Sequence, residues 1–190
     1  MEAAIYPPIT RKVISDGAIG MSLLIATELM FFAGLISAYI VNKAGASWPP
    51  VGQPRLPVEI TAINTIILLS SAVTIYLFGK KYAHRNGKKL LLVTLLLGLA
   101  FVTIQGIEWV KLLQFGLTTT SSLYGAFFYA LIGAHGFHVV IGLFILLYLL
   151  LSVNKKSSNE KLLNRISACS LYWYFVVGIW PVLYILVYLS

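Results

Sequence analysis

Residues 123–151 read LYGAFFYALIGAHGFHVVIGLFILLYLLL, twenty-nine residues without Asp, Glu, Lys or Arg. As a helix, such a stretch rises about 43 Å, more than the ~30 Å hydrocarbon core of a bilayer. It reads as a membrane span that tilts or extends beyond the lipid. Four more apolar runs are long enough to cross, at about 19–41, 60–78, 90–113 and 166–189. None alternates with period two over ~10 residues, which argues against a transmembrane barrel. The expected fold is all-α, a bundle of five transmembrane helices.

Composition agrees. Of the 190 residues, 59% are hydrophobic and 11% charged. A soluble domain averages about 25% charged residues, and a chain this short has no interior large enough for so much apolar surface. The net charge of +8 suggests nucleic acid at first sight. The basic residues, however, lie in short clusters between apolar runs, a topology signal and not a nucleic-acid face. The lone cysteine, Cys169, allows neither an intrachain disulfide nor a C-x-x-C site.

The connections are short, so residues 1–190 form one domain. Residues 42–59 hold Trp48, four prolines and two glycines and are expected to be an ordered turn. Residues 80–89 and 152–165 are polar and basic. Arg11 and Lys12 precede the first span, which is too long for a signal-peptide core of ~7–15 residues and reads as a retained helix. Eleven of the fourteen basic residues fall on the side of the N-terminus and the second and fourth loops; Lys43, Arg55 and Lys111 fall on the other. The positive-inside rule then places the N-terminus in the cytoplasm and the C-terminus outside.

Ionisable groups inside spans cost about 2.5–3.5 kcal/mol on insertion scales and are functional candidates for that reason. Glu28 lies ~14 Å into the first span by helix rise. There a carboxyl group is protonated, hydrogen-bonded or paired. His135 and His138, at i and i+3, share one face of the fourth span. Counted inward from residue 123, His135 falls at a depth similar to that of Glu28. Two histidines and a glutamate can bind a metal, but no further ligand lies at this depth, and interhelical hydrogen bonding is the favoured use. Gln105, Glu108 and Trp109 near the end of the third span, and Asn64 and Thr65 in the second, are candidates for interhelical or lipid contact. Gly125, Ala126, Ala130, Gly133, Gly136 and Gly142 allow close approach to the fourth helix. No phosphate loop, H-E-x-x-H or nucleophile elbow occurs. The third histidine, His84, lies in a basic loop, so a haem held by histidines on two spans is not expected.

In order along the chain stand Thr27-Glu28-Leu29-Met30-Phe31-Phe32, Trp48-Pro49-Pro50, Asn64-Thr65-Ile66-Ile67-Leu68-Leu69-Ser70-Ser71, Gln105-Gly106-Ile107-Glu108-Trp109, His135-Gly136-Phe137-His138-Val139-Val140-Ile141-Gly142 and Tyr172-Trp173 with Trp180. Together these elements resemble subunit III of the haem–copper oxidases, the cytochrome c and quinol oxidases, in its five-helix prokaryotic form. The longer family form has seven helices. The resemblance implies a subunit without catalytic residues, metal or redox cofactor of its own, with haem and copper in partner subunits. It also implies packing beside the catalytic subunit I and the other oxidase subunits, in some cases within a larger respiratory supercomplex. Bound phospholipid, support of proton uptake and durable turnover, and location in the prokaryotic cytoplasmic (inner) membrane follow as expectations; nucleic acid does not.

The fifth span departs from the family pattern Y-W-H-F-V-D, with Tyr174 and Val177 in place of its histidine and aspartate. Three other readings remain open at this point. One is a subunit-III-like accessory protein of a nitric oxide reductase. The second is an independent intramembrane metalloenzyme using Glu28, His135 and His138. The third is a small proton channel or transporter.

Overall fold

The computed structural model describes residues 16–45, 48–81, 87–153 and 160–189, without the side chains of Asp16 and Glu160. Arg11, Lys12, His84, Arg85, Lys155 and Lys156 lie outside the described residues, and so does the N-terminal segment. Five helices follow in order: α1 Asp16–Ala44, α2 Val58–Lys81, α3 Gly87–Gln114, α4 Leu123–Ser152 and α5 Glu160–Leu183. All are long and apolar enough to cross a membrane. Among the described residues there is no strand.

Helices α1, α2 and α3 outrun their apolar stretches at both ends, α4 by one residue at its end, and α5 at its start only. Helix α5 begins six residues before the expected 166, and α2 continues to Lys81. Helical hydrogen bonding does not stop where hydropathy falls; a polar turn still closes its own backbone bonds. The basic connections are correspondingly shorter than the polar runs. The expected turn at 42–59 loses its ends to α1 and α2. Its remainder carries a cis Trp48–Pro49 bond and Gly52 at φ 87°, a backbone state open to glycine.

Helix α5 is the hub. It packs on α1, α2 and α4, while α3 bridges α2 and α4. Lipid-like surroundings give helices no hydrophobic reason to associate, so small residues and interhelical hydrogen bonds hold such bundles together. Trp173 and Trp180, two turns apart on α5, are both fully buried. Each donates its indole N–H to a hydroxyl on α2: Trp173 to Ser71 Oγ at 3.0 Å and Trp180 to Thr65 Oγ1 at 2.9 Å. The Trp173 ring sits in a notch between α3 and α4. A Cβ added to Gly98 or Gly142 would stand 2.8 or 2.9 Å from it. Of the expected small residues, Gly142 therefore does permit a close approach, as does Gly125, whose added Cβ would collide with the Thr118 carbonyl.

Between α2 and α3, Thr74 and Thr94 share a hydroxyl hydrogen bond at 2.8 Å. Pro181 removes one backbone donor from α5. The helix then widens into a π turn at Tyr184–Tyr188. This turn delivers the Tyr184 hydroxyl to the Val58 carbonyl at 3.2 Å, tying the end of α5 to the start of α2.

Candidate functional site: a Glu–His pair at mid-bundle

Glu28 is the thirteenth residue of the twenty-nine in α1, and His138 the sixteenth of the thirty in α4. Both stand at the centres of their helices, and they meet: His138 Nε2 lies 3.0 Å from Glu28 Oε2. The other ring nitrogen, Nδ1, lies 2.7 Å from the carbonyl of Ala134, one turn back on the same helix. A carbonyl only accepts, so Nδ1 carries a hydrogen. Nε2 then either accepts from a protonated carboxyl or, in an imidazolium, donates to a carboxylate. In both forms one proton lies between Glu28 and His138, and the pair is neutral overall.

Aromatic rings enclose the imidazole. Phe32, Phe137, Phe31 and Phe175 have centroids 5.2, 6.1, 6.3 and 6.4 Å from it. Tyr172, from α5, donates its hydroxyl to the backbone carbonyl of His138 at 3.3 Å. The pair is not sealed. Glu28 keeps 29% of its side-chain exposure, and a groove of about 420 Å³ runs beside it, lined by Leu24, Phe31, Phe137, Ile141 and Tyr172 among others. Tyr172 was legible in the sequence only as part of a family element; nothing in its spacing pointed to His138.

His135 goes elsewhere. It is buried, stacks on Trp180 at 4.9 Å and meets the edge of Phe101 at 6.1 Å. Neither of its nitrogens has a hydrogen-bond partner among the described residues. Glu28 thus meets one histidine of the two, although their i, i+3 spacing put both toward one face of α4. A step of three residues turns the helix by about 300°, and the remaining 60° carries His135 from the α1 side to the α3–α5 side. A cavity of about 230 Å³ between α3 and α4 is lined by His135, Gln105, Trp109 and the glycines at 106, 133 and 136. Among the described residues no group of three or more His, Cys, Asp or Glu stands together as a metal site.

The second polar set is split. Asn64 donates to the Phe101 carbonyl at 3.1 Å and to Gln105 Oε1 at 3.4 Å, and Gln105 donates to the Tyr188 hydroxyl at 2.9 Å. These bonds tie α2, α3 and the π turn. Thr65 accepts from Trp180, as above, and donates to the Thr61 carbonyl at 2.7 Å. Glu108, buried, pairs with the half-exposed Lys111 of its own helix at 2.7 Å. Trp109 turns inward: its ring packs on Tyr129 at 5.9 Å and covers Gly133 and Gly136. Tyr174 is exposed and Val177 buried, so a polar group restored at 177 would point into the bundle and one at 174 out of it.

The family model described as cytochrome c oxidase subunit III matches residues 1–190. The chain is 33% identical over 195 residues to cytochrome c oxidase subunit 3 of Mus musculus, covering 96% of this chain and 72% of that protein. It is 33% identical to a probable cytochrome c oxidase subunit 3 of Mycobacterium leprae, covering 90% of this chain and 86% of the relative. It is 34% identical to the subunit 3 of Corynebacterium diphtheriae, with the same two coverages. Five spans, the ordered motifs and these matches agree: this multi-pass membrane chain belongs to the cytochrome c oxidase subunit III family.

Proposed function

We propose that the chain is a non-redox subunit of a haem–copper terminal oxidase in the prokaryotic inner membrane. In this reading it packs beside the catalytic subunit, holds lipid, and supports proton uptake and stable turnover. The observation that supports it most is the Glu28–His138 pair: one proton held at mid-bundle, beside an open groove, on two helices that touch each other little elsewhere. A carboxyl group in a membrane span is retained when it is satisfied or useful. This one is satisfied by His138, and the groove leaves it within reach of a partner or lipid. Haem and copper belong, in this reading, to partner subunits.

The test is capture of the complex through an affinity tag on this chain, followed by a reduced-minus-oxidised haem spectrum and an oxygen-consumption assay. Recovery of a haem-bearing, oxygen-consuming partner is expected. A captured complex that reduces nitric oxide and not oxygen would move the chain to the reductase reading. Recovery of the chain alone would overturn the subunit reading.

A further inference from the structure

The cavity of about 230 Å³ between α3 and α4 borders two side chains whose polar atoms the bundle leaves unmatched. His135 lines it, and both of its ring nitrogens are buried without a partner among the described residues. Trp109 lines it too, and its Nε1 atom is in the same condition. Buried polar groups are costly unless something bonds them. The His135 ring is held in place: Trp180 stacks on its face at 4.9 Å, and Phe101 stands nearly perpendicular to it at 6.1 Å. A partner therefore has to approach in the plane of the imidazole, where its nitrogens bond.

The rest of the lining decides what kind of partner fits. Gln105 already bonds Asn64 and Tyr188, and Val102, Ile132 and Val140 are apolar. Buried water takes about 30 Å³ of liquid volume and needs two to four polar partners. A space of this size takes several waters, and three nitrogens on two side chains do not satisfy them. The space is smaller than the ~300–1,000 Å³ of sites for drug-sized ligands, which limits the occupant to about one ring. Its outer walls are half-buried residues of α3 and α4, with the exposed Phe137 at the rim. The cavity thus opens sideways between two spans, and its occupant arrives through hydrocarbon, a route closed to ions.

A neutral imidazole offers one N–H and one bare nitrogen, and an indole offers one N–H. A hydroxyl both donates and accepts, so it answers this set; a hydrocarbon does not. Aromatic rings on both helices and on α5, with the glycines at 106, 133 and 136 between them, suit a flat body. We propose that the cavity binds a small, neutral, membrane-soluble molecule with a hydroxyl group on a flat apolar ring, a phenol in chemical class. The site is separate from the Glu28 groove and uses neither Glu28 nor His138.

The experiment uses the purified complex containing this chain, in detergent. Binding of radiolabelled p-cresol is measured by equilibrium dialysis, with excess unlabelled p-cresol defining the saturable part. Toluene, the same ring and methyl group without the hydroxyl, is measured in parallel. Saturable, stoichiometric binding of p-cresol is expected in the wild type. In His135→Phe its Kd should rise about fivefold, the size of one lost hydrogen bond, while that of toluene should not rise. Gly133→Val should remove both, because a Cβ there meets only the Trp109 ring, at 3.8 Å, and the further methyl groups fill the space. Trp109→Phe removes the indole N–H and should weaken p-cresol more than toluene, a check that does not depend on assembly of the Gly133 variant. No saturable p-cresol in the wild type would leave the cavity to water and overturn the proposal. An unchanged p-cresol Kd in His135→Phe, an equal rise for both probes there, or full binding in Gly133→Val would overturn it as well.

Discussion

His138 of α4 makes a hydrogen bond on each side of its ring: Nδ1 donates to the Ala134 carbonyl at 2.7 Å, and Nε2 bonds with Glu28 of α1 at 3.0 Å. The first bond fixes the tautomer that makes the second possible. Helix α1 is the least buried of the five spans, and this bond is one of its few polar ties to α4.

Removing the carboxyl should therefore loosen α1. Glu28→Ala strands a buried ring nitrogen, a loss of about 1–3 kcal/mol. Glu28→Gln keeps a donor for Nε2 and should cost little. Retention of the subunit in the detergent-purified complex, read by gel densitometry, should fall in the alanine variant and hold in the glutamine one. Equal retention in both would show that the bond does not anchor α1.

The two histidines should part company on substitution. His138→Phe removes two hydrogen bonds, while His135→Phe removes none and keeps a ring against Trp180. An orphaned polar group replaced by an apolar one of similar shape can be neutral or stabilising. Thermal unfolding of the complex should thus show a lower Tm for His138→Phe and an unchanged or higher Tm for His135→Phe. The reverse order would mean that His135 has a partner of its own.

Gly142→Ala should overpack the Trp173 notch, at about 1–3 kcal/mol. Gly106 provides the control, because its added Cβ meets nothing within 4 Å. There Gly→Ala should be neutral or gain up to ~1 kcal/mol of helix propensity. The same unfolding assay checks both; equal effects would place the Trp173 contact outside the stabilising core.

The subunit isolated from its complex should carry no stoichiometric haem, copper or iron. Glu28 and His138 already satisfy each other, and His135 is turned away from them. Elemental analysis and a visible spectrum of the isolated subunit check this; one metal per chain would revive the metalloenzyme reading.

The sequence made the spans legible because hydropathy over some twenty residues reports burial in lipid directly. Glu28 was legible for the same reason, as a cost with no solvent to offset it. Which histidine it meets was not: His135 and His138 differ by a 60° turn at one depth, and a linear pattern does not say which neighbour lies on either side. The inward turn of Trp109 was hidden likewise, since an aromatic near a span end serves an interface or an interior equally well. Gly98 went unremarked because a single glycine in an apolar run carries no sign of the indole that needs it. Trp48 stood out among its prolines, yet its partners Tyr39 and Tyr124 lie on two other segments that only the folded chain brings together.

The proposal that Glu28 supports proton uptake is tested most directly by the number of turnovers the purified oxidase completes before inactivation, compared between wild type and Glu28→Gln at matched subunit stoichiometry. The substitution keeps the hydrogen bond and removes the titratable group. A shorter catalytic lifetime in Glu28→Gln, at full subunit content, is the predicted result. A lifetime equal to that of the wild type would contradict it and leave Glu28 as a structural tie alone.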